Sequence, residues 1–100
     1  NVGAQIDLSK IPFYSGAQDL AQIGTRSTIY QSNRDNAAVQ GGAGPARVLL
    51  DDPQTAGGLL AAVPIERAQD ILVQLKQAGC RAAQIGVFTT GSPVIKCVSL

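Results

Sequence analysis

The chain has 100 residues, a length that fits one domain with a modest core. Its 45% apolar and 15% charged residues exclude a disordered tail, and its 4% aromatic content predicts a core of Ile, Leu, Val and Ala. A net charge of +1, with eight scattered basic residues, argues against nucleic-acid binding. No apolar run is long enough to cross a bilayer, so no membrane partner is expected. The absence of Met, even at position 1, indicates a piece of a larger protein.

The first third of the chain predicts a strand followed by a short helix. Apolar and polar residues alternate from Val2 to Leu8, which is typical of a half-buried strand. After Pro12, Ser15 can cap a helix with one apolar stripe, and Gly24 is a suitable residue to end it. Periodicity is weak from Thr25 to Val39, which predicts a loop or a marginal helix.

The middle of the chain is rich in glycine and then acidic. Gly41-Gly42-Ala43-Gly44-Pro45 is interpreted as a surface loop rather than a phosphate cradle, because no strand-to-helix context is evident around it. Ala46 to Leu50 predicts one helical turn. The Asp51-Asp52 pair that follows could supply caps, Mg²⁺ ligands or solvated charges. We interpret the pair as structural, because the other oxygen ligands of a hard cation are not evident nearby.

The clearest helix is predicted from Pro64 to Ala78. Pro64 suits the first turn, Glu66 lies near the positive end of the helix dipole, and Gly79 ends the pattern. Its apolar stripe is expected to pack in the core against the neighbouring strands.

Two strand-like runs, Ala83 to Phe88 and Pro93 to Val98, complete the chain. The intervening Thr89-Thr90-Gly91-Ser92 predicts a hairpin. The whole pattern favours a mixed α and β class in which helices cover a sheet of about four strands, reminiscent of a split βαβ arrangement.

The two cysteines, Cys80 and Cys97, do not fit a familiar zinc site, because the chain has no His and no C-x-x-C. We expect free thiols packed in or near the core, as in cytosolic proteins. A disulfide requires that the two segments come within bonding distance.

The most informative segment is Asp52-Pro53-Gln54-Thr55-Ala56-Gly57-Gly58-Leu59-Leu60. One interpretation is a turn at Asp52-Pro53 whose glycines lead into a buried strand from Leu59 to Val63, and turns of this kind are common. The other is a cleft lined by the N–H groups of Thr55 to Gly58 and the Thr55 hydroxyl, where an anion could sit. The spacing matches neither a Walker loop nor G-x-G-x-x-G, and alone it leaves both interpretations open.

This segment resembles the D-P-Q-T-S-G-G-L-L signature in the C-terminal domain of selenophosphate synthetases, also called selenide, water dikinases, with Ala56 in place of the usual Ser. The resemblance extends to two other regions. The I-D-L…I-P…G-A pattern at the start of that domain is similar to Ile6-Asp7-Leu8, Ile11-Pro12 and Ser15-Gly16-Ala17. Its late A-x-x-I-G strand is similar to Gln84-Ile85-Gly86. It is loosest from Thr25 to Arg47.

The resemblance implies an α+β fold with a mixed sheet of about four strands covered by helices. This would be a three-layer α/β/α arrangement, partly ferredoxin-like, as in the C-terminal domain of aminoimidazole ribonucleotide synthetase. Residues 1–100 would form a single domain, the C-terminal fragment of a cytoplasmic enzyme whose N-terminal ATP-binding domain is absent. That domain of the same polypeptide would be the partner of this one, and the parent would be a homodimer.

The resemblance also implies the reaction. The parent would be an ATP-dependent phosphotransferase that makes selenophosphate, AMP and phosphate from ATP, selenide and water. ATP, Mg²⁺, the catalytic Lys and the reactive Cys or selenocysteine would belong mainly to the missing domain. Neither Cys80 nor Cys97 would then be the nucleophile, and the fragment alone would hold no catalytic residue, metal or cofactor and would be inactive.

Asp52, Thr55, Gly57 and Gly58 are the candidate residues that would line the interdomain substrate cleft, with positioning roles. Two alternatives remain. One is the equivalent domain of a related ATP-dependent enzyme such as aminoimidazole ribonucleotide synthetase. The other is a non-catalytic metabolite-binding or regulatory module.

Overall fold

The computed structural model describes residues 1–36 and 38–99. Ala37, which falls in the segment predicted to be a loop or marginal helix, lies outside the described residues, as does Leu100. In chain order the elements are β1 (Val2–Asp7), a 3₁₀ turn (Leu8–Lys10), α1 (Ala17–Gln22), α2 (Tyr30–Arg34), β2 (Val39–Gly41), α3 (Gly44–Leu49), α4 (Ile65–Gln77), β3 (Gly86–Thr90) and β4 (Ile95–Val98).

The four strands form one mixed sheet in the order β2-β4-β1-β3. β1 pairs antiparallel with β3 and parallel with β4, and β2 pairs parallel with β4. The predicted α+β class with a mixed sheet of four strands is therefore confirmed, and so is the first predicted strand.

The predicted hairpin between the last two strands is wrong, because β3 and β4 lie on opposite sides of β1. The four residues between them cross the end of β1, where the Gly91 N–H donates to the Asn1 carbonyl oxygen at 3.2 Å. Two strand spacings are about 10 Å, which four residues can span. A short connection rich in turn residues therefore does not require adjacent strands.

The short helices follow local backbone rules more closely than side-chain capping rules. α1 ends just before Gly24, as predicted, but its N-cap is Gly16 rather than Ser15. The reason is a tight turn before the helix, in which the Ala17 N–H donates to the Tyr14 carbonyl oxygen at 3.1 Å. In the segment predicted to be a loop or marginal helix, the structure forms the five-residue α2.

The glycine-rich segment predicted to be a surface loop joins a strand to a helix. Gly41 still pairs with Cys97 in the sheet, and Pro45 stands in the first turn of α3. The expectation that no strand-to-helix context surrounds this segment is therefore wrong, because glycine composition conceals a short edge strand. Gly42 is needed there: its φ is +74°, and a Cβ would lie 2.8 Å from Leu8 Cδ1.

The predicted long helix is confirmed as α4, with Pro64 directly before it and Gly79 shortly after it. Its apolar stripe is not in the buried core: Ala68, Ile71 and Leu72 are half-buried, and Leu75 is exposed. The prediction that the stripe packs in the core is wrong for a physical reason. The spacing of apolar residues predicts that one face of the helix is apolar, but it does not say which surface covers that face.

The segment Leu59 to Val63, interpreted as a buried strand, is also exposed and belongs to no strand. The same reason applies here, because an apolar run predicts burial without specifying the covering surface. Among the described residues, the buried apolar side chains are those of Leu8, Ala21 and Cys97.

A buried ion pair anchors α3 to the sheet. Arg47, only 2% exposed, donates from Nη1 to Asp51 Oδ2 at 2.6 Å and from Nε to the Gly41 carbonyl oxygen at 3.1 Å. Arg34 Nε lies 4.0 Å from the same Asp51 oxygen. The interpretation of Asp51 as structural agrees with this contact, and the Arg47–Asp51 spacing of four residues could have indicated the pair.

Both cysteines are free thiols, as expected, but only Cys97 is buried. The expectation is wrong for Cys80, which lies in the exposed turn after α4, where its N–H donates to the Leu75 carbonyl oxygen at 2.9 Å. Burial raises the pKa of the Cys97 thiol and Asp51 adds to the increase, while Arg47 and Arg34 oppose it.

The difference in burial predicts selective thiol labelling. An aromatic disulfide reagent at pH 8 should modify Cys80 at once and Cys97 only after unfolding, because the thiolate is the reactive form and burial disfavours it. Counting labelled thiols by mass spectrometry in the native and urea-unfolded chain tests this, with Cys80→Ser as control. Equal labelling rates for the two thiols in the native chain would contradict it.

The raised pKa of Cys97 predicts a loss of stability at alkaline pH. When the pH exceeds 9.0, the ordinary pKa of a thiol, the unfolded chain releases the Cys97 proton while the folded chain retains it. The free energy of unfolding therefore falls as the pH rises through that value. Urea titrations between pH 7 and 10.5 should show a steeper decline for the native sequence than for Cys97→Ala. Parallel curves would show that this thiol does not contribute.

Removal of Asp51 should be strongly destabilising. Asp51→Ala leaves the Arg47 guanidinium buried without its counter-ion, which costs about 3–5 kcal/mol. Arg47→Met should lower the free energy of unfolding by less, because the Met side chain fills the space of the Arg stem with apolar atoms and Asp51 still has Arg34 nearby. Asp52→Ala, at a half-buried neighbour without an ion pair, is the control and should change little. Urea unfolding measures all three, and similar values for Asp51→Ala and Asp52→Ala would refute this account.

Candidate functional site

The candidate residues occupy a surface segment that begins where α3 ends. The Asp52 N–H donates to the Leu49 carbonyl oxygen at 3.3 Å, and the Asp52 carboxylate accepts a long hydrogen bond from Gln54 Nε2 at 3.4 Å. Asp52 is half-buried, whereas Thr55, Gly57 and Gly58 are exposed. Asp52 therefore attaches the segment to the fold, and the other three project from it.

Thr55 and Ala56 form a turn, and residues 58–63 make no hydrogen bond to the part of the chain that the structure describes. The N–H groups of Thr55, Ala56 and Gly58 and the Thr55 hydroxyl are thus exposed donors without an acceptor among the described residues. Such groups can bind an anion when they converge, and otherwise they bind water.

The two adjacent glycines are not required by the chain itself. Neither Gly57 nor Gly58 has a positive φ, and a Cβ at Gly58 would meet no atom within 4 Å. A Cβ at Gly57 would be 3.1 Å from Gln54 Oε1, the end of a flexible side chain. A steric need for glycine here can come only from something that approaches the backbone from outside these contacts.

A cleft of about 310 Å³ lies beside this segment. Its lining combines hydroxyl, amide, carboxylate and apolar groups, namely Ser32, Asn33, Asn36, Val39, Leu50, Asp51 and Asp52. Of the four candidate residues only Asp52 reaches it, so the structure does not bring Asp52 into one pocket with Thr55 and the glycines. The contribution of α2 was not foreseen, because its polar side chains show no distinctive spacing.

Several polar groups of the cleft already bond to other parts of the chain. Asn33 Nδ2 donates to the Asp51 carbonyl oxygen at 3.0 Å, and the Asp51 carboxylate is held by Arg47. Within residues 1–36 and 38–99 no group of three or more His, Cys, Asp or Glu side chains could hold a metal ion. Asp51 and Asp52 therefore do not fit a resident Mg²⁺ site by themselves.

In the same residues, no helix combines the length and hydrophobicity needed to cross a membrane.

Comparison with known proteins identifies relatives over nearly the whole chain. The selenide, water dikinase of Carboxydothermus hydrogenoformans is 35% identical over 101 residues, which cover 94% of this chain and 29% of that protein. The enzyme of the same name from Myxococcus xanthus is 35% identical over 100 residues, covering 95% of this chain and 28% of the relative. That of Desulfitobacterium hafniense is 38% identical over 82 residues, or 78% of this chain and 24% of the relative.

The chain thus spans less than a third of the length of these curated relatives and matches only their C-terminal part. No solved structure gives a significant match. The resemblance to selenide, water dikinases that the motif indicates is confirmed.

A family model agrees with the fold and with these relatives. It is described as "AIR synthase related protein, C-terminal domain", and it matches residues 1–97. The mixed four-stranded sheet with its helices is consistent with that domain. This chain therefore belongs to the family of C-terminal domains of AIR synthase related proteins.

Proposed function

We propose that the chain is the C-terminal domain of a selenide, water dikinase, which makes selenophosphate, AMP and phosphate from ATP, selenide and water. The observation that carries this proposal is the similarity of 94–95% of the chain to proteins of that name. The full-length polypeptide would then have an N-terminal domain that holds ATP and Mg²⁺, and it would act as a cytoplasmic homodimer. The domain described here would assist and would not react by itself.

Asp52, Thr55, Gly57 and Gly58 would border the cleft between the two domains. The free N–H groups and the Thr55 hydroxyl support this role, because they can donate to phosphate or selenophosphate oxygens. Glycines without a steric role in the chain fit a backbone that an anion approaches closely. Ala56 brings no hydroxyl, so donation at that position would come from its N–H.

Asp52 would act differently from the other three. A carboxylate next to an anion repels it, so direct contact with a phosphate is unfavourable. Its bonds to Leu49 and Gln54 instead favour a role in fixing the start of the turn. Closure of this domain over the cleft would also exclude water from a reactive phosphorylated species.

The activity is tested with the full-length polypeptide that contains these 100 residues. It should release AMP from ATP only when selenide is present, and the 100-residue chain assayed beside it should release none. Absence of selenide-dependent AMP from the full-length polypeptide would reject the proposal in favour of another ATP-dependent enzyme or a binding module.

The role of Thr55 is tested by Thr55→Val in the full-length polypeptide. Loss of one hydrogen bond to a charged group is worth about 1.5–3 kcal/mol, so turnover should fall roughly tenfold or more. Thr28→Val, at another exposed turn residue, is the matched control and should leave turnover unchanged. Unfolding curves should coincide for all three proteins. Unaltered kinetics in Thr55→Val would show that this hydroxyl has no role in the reaction.

A further inference from the structure

We infer that the outer edge of β3 is a self-association surface, through which two copies of the chain pair their β3 strands antiparallel about a two-fold axis. The two four-stranded sheets then join into one continuous sheet across the interface. The inference needs only the fold, so it does not depend on the proposed function.

β3 lies at an edge of the sheet, because its one neighbour in the order β2-β4-β1-β3 is β1. Val87 is 47% exposed and Phe88 is 66% exposed, and Thr89 and Thr90 are also exposed. The described chain therefore leaves this edge uncovered. An open edge presents unpaired backbone groups to any strand that can reach it.

Hydrogen bonds at the two ends of the β1–β3 ladder show which backbone groups of β3 point outward. The Asp7 N–H donates to the Ile85 carbonyl oxygen at 2.8 Å. At the other end, the Gly91 N–H donates to the Asn1 carbonyl oxygen at 3.2 Å. Both bonds join odd-numbered residues.

The outward groups of β3 belong to its even-numbered residues. Bonded and non-bonded pairs alternate along an antiparallel ladder, so Val87 and Thr89 bond to β1. The N–H and carbonyl groups of Gly86, Phe88 and Thr90 then point away from the sheet. None of these groups has a hydrogen-bond partner among the described residues.

β3 carries none of the features that prevent edge pairing. Natural edges are blocked by Lys, Pro, a bulge or a very short strand. The five residues of β3 include no charge and no Pro, their register with β1 is unbroken, and Val, Phe and Thr favour extended backbone. β2, at the opposite edge, has three residues and ends at Gly41, whose φ is +78°. Of the two edges, that of β3 is therefore the one suited to pairing.

The outer edge of β3 is complementary to itself. When two β3 strands run antiparallel about an axis at Phe88, Phe88 lies opposite its own copy and Gly86 lies opposite Thr90 of the second copy. Every outward N–H then meets an outward carbonyl oxygen, because bonded residues in such a ladder exchange both bonds. The two Phe88 side chains also fall side by side, and aromatic cross-strand pairs are favourable.

A second copy of the chain is thus the occupant that this edge fits. The two-fold pairing covers the β3 edge of both copies, so the assembly closes as a dimer and does not extend into a filament. Five residues a side cover less area than a standard interface. We therefore expect a weak dimer that dissociates at micromolar concentration.

Sedimentation equilibrium of the 100-residue chain, from micromolar to millimolar concentration, tests the association. The native sequence should pass from monomer to dimer without larger species. Phe88→Lys should weaken association at least tenfold, because the dimer would place like charges opposite each other at the axis. Leu60→Lys, at a side chain 78% exposed outside the sheet, is the matched control and should dimerise as the native chain does.

Urea unfolding at low concentration should be the same for all three chains, because both substituted side chains are exposed in the monomer. A native chain that stays monomeric, a series of larger species, or equal weakening by the two substitutions would overturn the inference.

A disulfide trap tests the register in the full-length polypeptide. The Cα atoms of a bonded pair are about 5.5 Å apart, within reach of a disulfide, whereas diagonal neighbours are about 7–8 Å apart, beyond it. Phe88→Cys should therefore give a disulfide-linked dimer under dissolved oxygen. Val87→Cys should not, because Val87 lies opposite Thr89 of the second copy. Both variants carry Cys80→Ser, which removes an exposed thiol. Equal yields from the two variants, or no linked dimer from Phe88→Cys, would refute this pairing.

Discussion

The arrangement of α3, β2 and the motif segment depends on one buried guanidinium. Arg47 bonds Asp51 one helical turn away and the carbonyl oxygen of Gly41 at the end of β2. An ion pair removed from water requires good geometry to offset desolvation. Here the 2.6 Å contact and the main-chain acceptor supply part of that compensation, while Arg47 Nη2 is buried without a hydrogen-bond partner among the described residues. Because Asp52 follows Asp51 directly, the same contact determines where the motif segment leaves the body of the fold.

The packing around this guanidinium explains why the glycine-rich segment is not a free loop. A Cβ at Gly42 would collide with Leu8 and would be within 3.3 Å of the Arg47 stem and 3.0 Å of Cys97 Cβ. Strand, turn and helix therefore meet at one point that admits no side chain. Away from this point the described chain has few buried apolar groups, and 13 of its large apolar residues are exposed. The strongest packing thus lies at one end of the sheet.

Features with a local cause could be predicted from the sequence, and those with a distant cause could not. Three of these features are local: the alternation in β1, the apolar stripe of α4 with its flanking Pro64 and Gly79, and the motif itself. The motif in turn indicated the family. The position of β3 and β4 on either side of β1 depends on pairing between residues far apart in sequence. The exposure of Leu59 and Leu60 depends on what covers them, which no pattern within the segment encodes. For the site, the attachment of Asp52 is seen only in the structure, and the roles of Thr55, Gly57 and Gly58 stay predictions.

The pairing of β1 with β4 has a consequence for how the domain is made. Ala4 lies opposite Ile95, so the central strand pair joins the first residues of the chain to the last. The chain between β1 and β4 forms a long loop, and the entropy of closing it must be lost before the two strands can pair. Folding of the sheet is therefore slow compared with local helix formation. During synthesis, β1 must wait for β3 and then β4, its two sheet neighbours, which leave the ribosome after most other residues of this chain. A domain encoded upstream would have time to fold first and could then serve as the surface on which this sheet assembles.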